Sequence, residues 1–286
     1  MAEFVRIHEV GPRDGLQNEP ALIGVDRKVA LIDLLGTSGL RDIEVGSFVS
    51  PKWVPQMADT DRVLARLRPV AGVRYGVLVP NLRGWDGFVA ARVPGVTYEV
   101  AVFISASEGF SQSNLNCSIA TSVERLTPVV HAAQAAGVGV RGYISCVTDC
   151  PFDGPVPPEA VARAAAMLRK VAPMQVSLGD TIGKGTPARV AAMLDAVMVV
   201  VPLADLAGHF HDTGGRALAN VKMALDMGLR AFDSAVGGLG GCPYAPGAPG
   251  NLATEALLEL VHGLGFTTGV DVDVIAKAAE MARAMR

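Results

Sequence analysis

His209-Phe210-His211-Asp212-Thr213 holds two of the five histidines of the chain. It follows a mostly apolar run, Val199 to Leu206, and runs straight into Gly214-Gly215. On an extended strand the side-chain period of two turns both imidazoles to one side. Two imidazoles at a strand end form half of a divalent-metal site. The same spacing suits a pair of hydrogen-bonded core histidines, and five residues alone do not choose between the two.

Other residues can complete such a site. A hard divalent cation needs oxygen and imidazole ligands plus open positions for water and substrate. Asp14 offers a carboxylate, and Asn251 an amide oxygen just beyond a glycine-dense stretch. A mixed nitrogen and oxygen set without thiolate suits Mg²⁺ or Mn²⁺ better than structural zinc. Arg13 is a fixed positive charge with a forked donor set, suited to an enolate or carboxylate oxygen beside the metal. Alternatively it serves as a structural brace through an ion pair with Glu44 or Asp180. In Ser177-Leu178-Gly179-Asp180-Thr181, Asp180 is expected to point into the mouth as a base or supporting group. Gly237 to Gly250 is too glycine-dense for a regular element and reads as a mobile flap carrying Cys242. A thiol there can act as acid, base or nucleophile, or it can simply pack in a phosphate-binding loop.

The chain must supply elements to hold these groups. Strand-like runs occur at 4–10, 42–45, 73–79, 98–104, 138–144, 175–178, 206–210 and 231–236. Amphipathic segments lie between them, near 26–39, 56–68, 82–92, 119–136, 158–171, 187–200, 215–227 and 251–264, with a last one at 271–285. Alternating β and α implies a parallel sheet. Eight units spaced roughly 25–40 residues apart imply a closed (β/α)8 TIM barrel with a C-terminal extra helix, in one domain over 1–286. The first turn, Gly11-Pro12-Arg13-Asp14-Gly15, is not the Gly-x-Gly-x-x-Gly of an open dinucleotide-binding sheet. In a barrel, chemistry gathers where strands end and βα loops begin. Arg13, Asp14, Glu44, Asn81, Arg83, Ser105, Glu108, Ser177, Asp180, Thr181, His209, His211 and the glycine stretch all fall there. Some polar residues at those ends, Asp26 and Thr186 among them, are expected to be helix caps. Closure makes the seventh, eighth and first strands neighbours, so Asp14, His209, His211 and Asn251 can meet.

Composition excludes several classes. A formal charge of −3 argues against a nucleic-acid surface. No apolar run reaches the about 18 residues that span a membrane, so no membrane partner is expected. Residues 1–4 lack a charged region followed by an apolar stretch, which points to a cytoplasmic protein. Four cysteines are few, and Cys146-x3-Cys150 has no second pair to make a zinc knuckle, so reduced thiols are expected.

Glu9-Val10-Gly11-Pro12-Arg13-Asp14-Gly15-Leu16-Gln17-Asn18-Glu19, the run from Ile43 to Met57, Ser177–Gly183, His209–Thr213 and Gly238–Glu255 resemble the 3-hydroxy-3-methylglutaryl-CoA lyase family. That family lies among the metal-dependent lyase and Claisen-condensing barrels. The resemblance spans nearly the whole chain and implies cleavage of the acyl-CoA thioester to acetyl-CoA and acetoacetate. It implies that Asp14, His209, His211 and Asn251 bind the cation with Glu44 in support, and that Arg13 stabilises the departing enolate. His209 would share acid/base duty, Cys242 would transfer a proton from the flap, and Asp180 would assist at the hydroxyl. Gln17, Ser177 and Thr181 would bind substrate or support the site. A homo-oligomer, dimer or tetramer, is expected. The chain departs from the family at Pro20, at Gly214-Gly215-Arg216 and at Pro246–Pro249, which bears on the acyl substituent. The alternative is a condensing acyltransferase of the same superfamily joining acetyl-CoA to a 2-oxo acid.

Overall fold

The first strand, β1 (Arg6–Glu9), is four residues long because Gly11-Pro12 ends it. The remaining barrel strands are β2 (Asp42–Ser47), β3 (Arg74–Leu78), β4 (Tyr98–Ser105), β5 (Gly139–Ser145), β6 (Gln175–Asp180), β7 (Leu206–Phe210) and β8 (Ala231–Ser234). All eight are parallel and close in the order 1-8-7-6-5-4-3-2 in this computed structural model. It describes residues 2–242 and 245–286, and side chains other than those of 241–249. Closure is made by β1, which pairs Arg6 through Glu9 with Ala231 through Ser234 and also His8 and Glu9 with Asp42 and Ile43. The expected barrel is therefore the observed one.

The outer ring consists of α1 (Val25–Gly36), α2 (Thr60–Leu64), α3 (Leu82–Ala91), α4 (Glu108–Leu115), α5 (Ile119–Ala135), α6 (Pro158–Val171), α7 (Pro187–Met198), α8 (Ala217–Asp226) and α9 (Thr254–Gly263). The extra helix, α10 (Val272–Arg283), follows. Helix α5 shows how they form: Ser118 accepts the Thr121 N–H as N-cap, and Leu126, Val129, Val130 and Ala133 recur at helical spacing and are buried.

Three expectations need correction. The segment near 56–68 is helical only over α2, preceded by a 3₁₀ turn at Pro55–Met57, and Pro69 disfavours helical backbone before it. Asp26 is not a cap: α1 opens at Val25 after Gly24, and the Asp26 carboxylate pairs with Arg66 at 2.5 Å. Thr186 does cap, accepting from the Arg189 N–H. The glycine stretch is not wholly irregular, since Gly241–Cys242 pairs antiparallel with Ala245–Pro249. A second two-stranded piece, Asp149–Cys150 with Gly154–Pro155, lies in the loop after β5.

Apolar residues fill the shell between strands and helices, but charged groups occupy the barrel interior. Arg141 on β5 meets Asp233 on β8 at 2.5 Å, and Arg74 on β3 meets Asp42 on β2 at 2.7 Å and Glu99 on β4 at 3.1 Å. These side chains are cross-strand braces that also set the field under the mouth.

Candidate active site

The turn after β1, Gly11–Gly15, is a single π-helical turn in which the Val10 carbonyl accepts the N–H groups of Arg13, Asp14 and Gly15. It aims Arg13 and Asp14 at the mouth. Asp14 Oδ1 accepts from Arg13 at 2.6 Å and from Gln17 at 2.9 Å, and Oδ2 accepts from Asn251 Nδ2 at 2.9 Å. The latter contact spans the barrel seam. It exists because His211, one residue beyond β7, pairs its backbone with Asn251. A half-turn of the Asn251 carboxamide exchanges that nitrogen for its oxygen.

His209 and His211 share one side of the chain, as period two requires, with their Nε2 atoms 3.2 Å apart. His209 Nε2 lies 4.0 Å from Asp14 Oδ2. One ligand atom from each of Asp14, His209 and His211 falls within 4.8 Å of the others. Two imidazole nitrogens and a carboxylate oxygen converging in this way fit a divalent cation, with Asn251 beside them as a further oxygen donor.

The electrostatics agree. Burial disfavours the Asp14 carboxylate, but the charges of Arg13, His209 and His211 outweigh it and hold the pKa down at about 2. Burial also lowers His209, yet its hydrogen bond and charge pairing with Asp233, with Asp14 adding to them, leave it above its ordinary 6.5. Burial and the neighbouring His209 lower His211 to about 4. A proton on Nε2 blocks ligation, so Mn²⁺ affinity is expected to fall as pH drops through the raised His209 value, by at most about tenfold per pH unit. Mn²⁺ titrations at about pH 8 and about pH 6 check this, and equal affinities would remove His209 from the ligand set.

Arg13 is buried and holds Glu44 with Nε at 2.7 Å and with a terminal nitrogen at 2.5 Å. Burial raises the Glu44 pKa, an effect the Arg13 charge only partly offsets. The ion pair with Glu44 is thus real, and Asp180 takes no part in it. Since guanidinium has five N–H donors, this bracing leaves others to face the cavity.

Asp180 is fully buried; its oxygens accept from the Thr148 hydroxyl at 2.6 Å and the Gly185 N–H at 2.8 Å. Its carboxylate fixes the loop after β6 and does not line the mouth. Ser177 donates to Asp233 at 2.6 Å below the histidines. Thr181 does line the cavity, and its hydroxyl accepts the Cys146 N–H at 2.9 Å. The Cys242 side chain lies outside the described residues.

The cavity holds about 350 Å³ and opens at the strand C-terminal ends. One flank carries Arg13, Asp14, His209 and His211, and the opposite wall carries Val49, Leu78 and Phe103. Neither Pro20 nor Gly214 lines it. Gly214 instead packs so that an added Cβ would sit 2.7 Å from the Gly183 carbonyl. Sequence reasoning missed two groups. Asp233 accepts from His209 Nδ1 at 3.1 Å, which orients the ring with Nε2 toward the site. Tyr143 stands edge-on to His209, with centroids 6.1 Å apart, and among the described residues its buried hydroxyl has no hydrogen-bond partner. The available signal was a charged or hydroxyl-bearing residue inside a mostly apolar strand run.

The HMGL-like family model matches residues 4–282. The chain belongs to the HMGL-like family. This HMGL-like chain is 56% identical to the hydroxymethylglutaryl-CoA lyase of Pseudomonas mevalonii over 96% of its own length and 90% of that protein. It is 55% identical to a 3-hydroxy-3-isohexenylglutaryl-CoA/hydroxymethylglutaryl-CoA lyase of Pseudomonas aeruginosa, over 96% of this chain and 91% of that one. The crystal structure of the HMG-CoA lyase from Brucella melitensis superposes with a TM-score of 0.97 at 55% identity, covering 100% of this chain and 99% of that one.

Proposed function

We propose that this chain is a divalent-metal-dependent carbon–carbon lyase that cleaves 3-hydroxy-3-methylglutaryl-CoA to acetyl-CoA and acetoacetate. The observation that carries this is the convergence of Asp14, His209 and His211 at the barrel mouth in a chain so similar to lyases of that activity. Asp14, His209, His211 and Asn251 would hold Mg²⁺ or Mn²⁺, which when bound lowers the pKa of the substrate hydroxyl. In the reaction the 3-hydroxyl loses its proton, the C2–C3 bond breaks, and C3 becomes the ketone of acetoacetate. The electron pair leaves on C2 as the thioester enolate, which takes up a proton to give acetyl-CoA. Arg13 faces that developing negative charge from a buried, preorganised position.

His209 has one nitrogen held by Asp233 and one facing Asp14 and His211. Its duties as ligand and as acid/base therefore compete for Nε2, and it moves a proton only when Nε2 is free of the cation. Cys242 on the flap is the candidate for proton delivery to C2. Asp180 would assist through the loop it fixes, with Gln17 and Glu44 supporting through Asp14 and Arg13. The wall formed by Val49, Leu78 and Phe103 suits an alkyl substituent on C3, from methyl to the longer chain named for the Pseudomonas aeruginosa relative. The reading includes one catalytic domain, a cytoplasmic setting and a homo-oligomer. No helix among the described residues is long and apolar enough to cross a membrane.

Incubation with 3-hydroxy-3-methylglutaryl-CoA and Mg²⁺ or Mn²⁺ is expected to release acetyl-CoA and acetoacetate in equal amounts, and chelation should stop it. Silence with that thioester and with homologues longer at C3 would overturn the proposal. Release of free CoA only on adding a 2-oxo acid to acetyl-CoA would favour condensation instead.

A further inference from the structure

Glu9, the last residue of β1, is fully buried and takes no part in the chemistry above. Burial pushes its pKa up to about 7, against the pull of three hydrogen bonds, and nearby Glu255 adds to the rise. Among the described residues no cation compensates it. A buried carboxylate without a counter-charge is costly unless its oxygens gather donors that nothing else would satisfy. The Glu9 oxygens do so. Oε1 accepts the Gly11 N–H at 2.7 Å and the Val236 N–H at 2.9 Å, and Oε2 accepts the Thr254 hydroxyl at 2.7 Å.

These donors come from separate segments, each leading to the site. Gly11 opens the π-helical turn that carries Arg13 and Asp14. Val236 starts the loop that runs from β8 into the glycine stretch. Thr254 begins α9, three residues after Asn251, and its hydroxyl also lies 2.8 Å from Ser234 on β8. Asp14 and Asn251 touch each other at 2.9 Å, though 237 residues separate them in sequence. Glu9 is a buried side chain bonded to both of their segments. The space is tight as well: a Cβ on Gly11 would sit 2.6 Å from Glu9 Oε1.

We infer that Glu9 is a positioning residue that sets the Asp14 side of the candidate metal centre against the Asn251 side. The inference rests on the proposal that these residues hold a divalent cation. Glu9→Ala releases all three donors and lets the two segments drift. Glu9→Gln keeps a carbonyl oxygen for the two N–H groups, and its amide can donate to Thr254, which then donates to Ser234. The test is the dissociation constant of Mn²⁺, read from free-Mn²⁺ electron paramagnetic resonance well below the melting temperature, with a thermal melt on the same samples. Glu9→Ala is expected to weaken Mn²⁺ binding about tenfold or more, and Glu9→Gln by less than about threefold. Val130→Ala, a cavity on the buried face of α5 away from the site, should lower the melting temperature without changing Mn²⁺ affinity. A folded Glu9→Ala protein with parental affinity overturns the inference, and so does an equal loss in Val130→Ala. If Glu9→Ala does not fold, Thr254→Val cuts only the Asn251 arm and should weaken binding about threefold while Thr254→Ser does not. Parental affinity in Thr254→Val then overturns it. A parent protein that binds no Mn²⁺ at all overturns the metal reading and this inference together. Parental binding with unaffected Glu9 and Thr254 variants overturns this one alone.

Discussion

Arg13→Met should lower kcat by about 10³-fold while changing Mn²⁺ affinity by less than about threefold. The guanidinium is the positive side chain that lines the cavity beside Asp14 and the two histidines. It is buried and held from behind by Glu44, so it needs no reorganisation when charge appears on the thioester oxygen. Methionine matches its length without supplying charge or donors. The substitution also leaves Glu44 buried beside Asp14 with no cation. Glu44 already has a raised pKa and can take up a proton, which limits the stability loss to less than the about 3–5 kcal/mol of a broken buried pair. Arg13→Lys keeps the charge but not the fork, and should fall between parent and methionine. Steady-state kinetics with 3-hydroxy-3-methylglutaryl-CoA, paired with a Mn²⁺ titration, separates the roles. A kcat within about tenfold of the parent would reduce Arg13 to a brace for Glu44.

The barrel was legible because each unit repeats one physical pattern: a short β-branched run, a polar break, then an amphipathic stretch. Both histidines were legible for a similar reason, since a period of two needs only local backbone to face them together. What failed was of two kinds. Two-residue ladders such as Gly241–Cys242 with Ala245–Pro249 are too short to show any periodicity, and glycine and proline there spoke only for loop. Helix α4 was missed because its exposed run Gln112-Ser113-Asn114 carries no apolar stripe, while its Ser107 cap reads like any loop serine. The second kind is long-range. Asp180 and Asp233 are both aspartates near strand C-terminal ends, and nothing local distinguishes them. Only the folded chain shows that one turns back to Thr148 and Gly185 while the other reaches His209 and Arg141. The carboxylate under the histidines was therefore the one that local reading passed over.

Asp233 carries the second large expected effect because it joins the barrel floor to the mouth. Its Oδ1 pairs with Arg141, and its Oδ2 accepts from Ser177 and from His209. Burial opposes its ionised form, but the Arg141 charge and the His209 hydrogen bond win, holding its pKa well below the usual carboxylate range. A charged Asp233 fixes the proton of His209 on Nδ1 and so keeps the Nε2 lone pair directed at the site. Asp233→Asn removes that charge and leaves the Arg141 guanidinium buried without its ion-pair partner. The expected result is a loss of about 3–5 kcal/mol in stability together with Mn²⁺ affinity reduced about 10- to 100-fold. The double variant Asp233→Asn/Arg141→Met separates these effects. Removing both charges spares the fold an unpaired ion, so the melting temperature should recover most of its loss. The histidine is still without its carboxylate, so Mn²⁺ affinity should stay low. If affinity returns with the melting temperature, Asp233 acts on the metal centre only by keeping the barrel floor intact, and His209 needs no carboxylate to present Nε2. If affinity stays low while the fold recovers, the aspartate one strand over from the histidines belongs to the metal centre as fully as the histidines do.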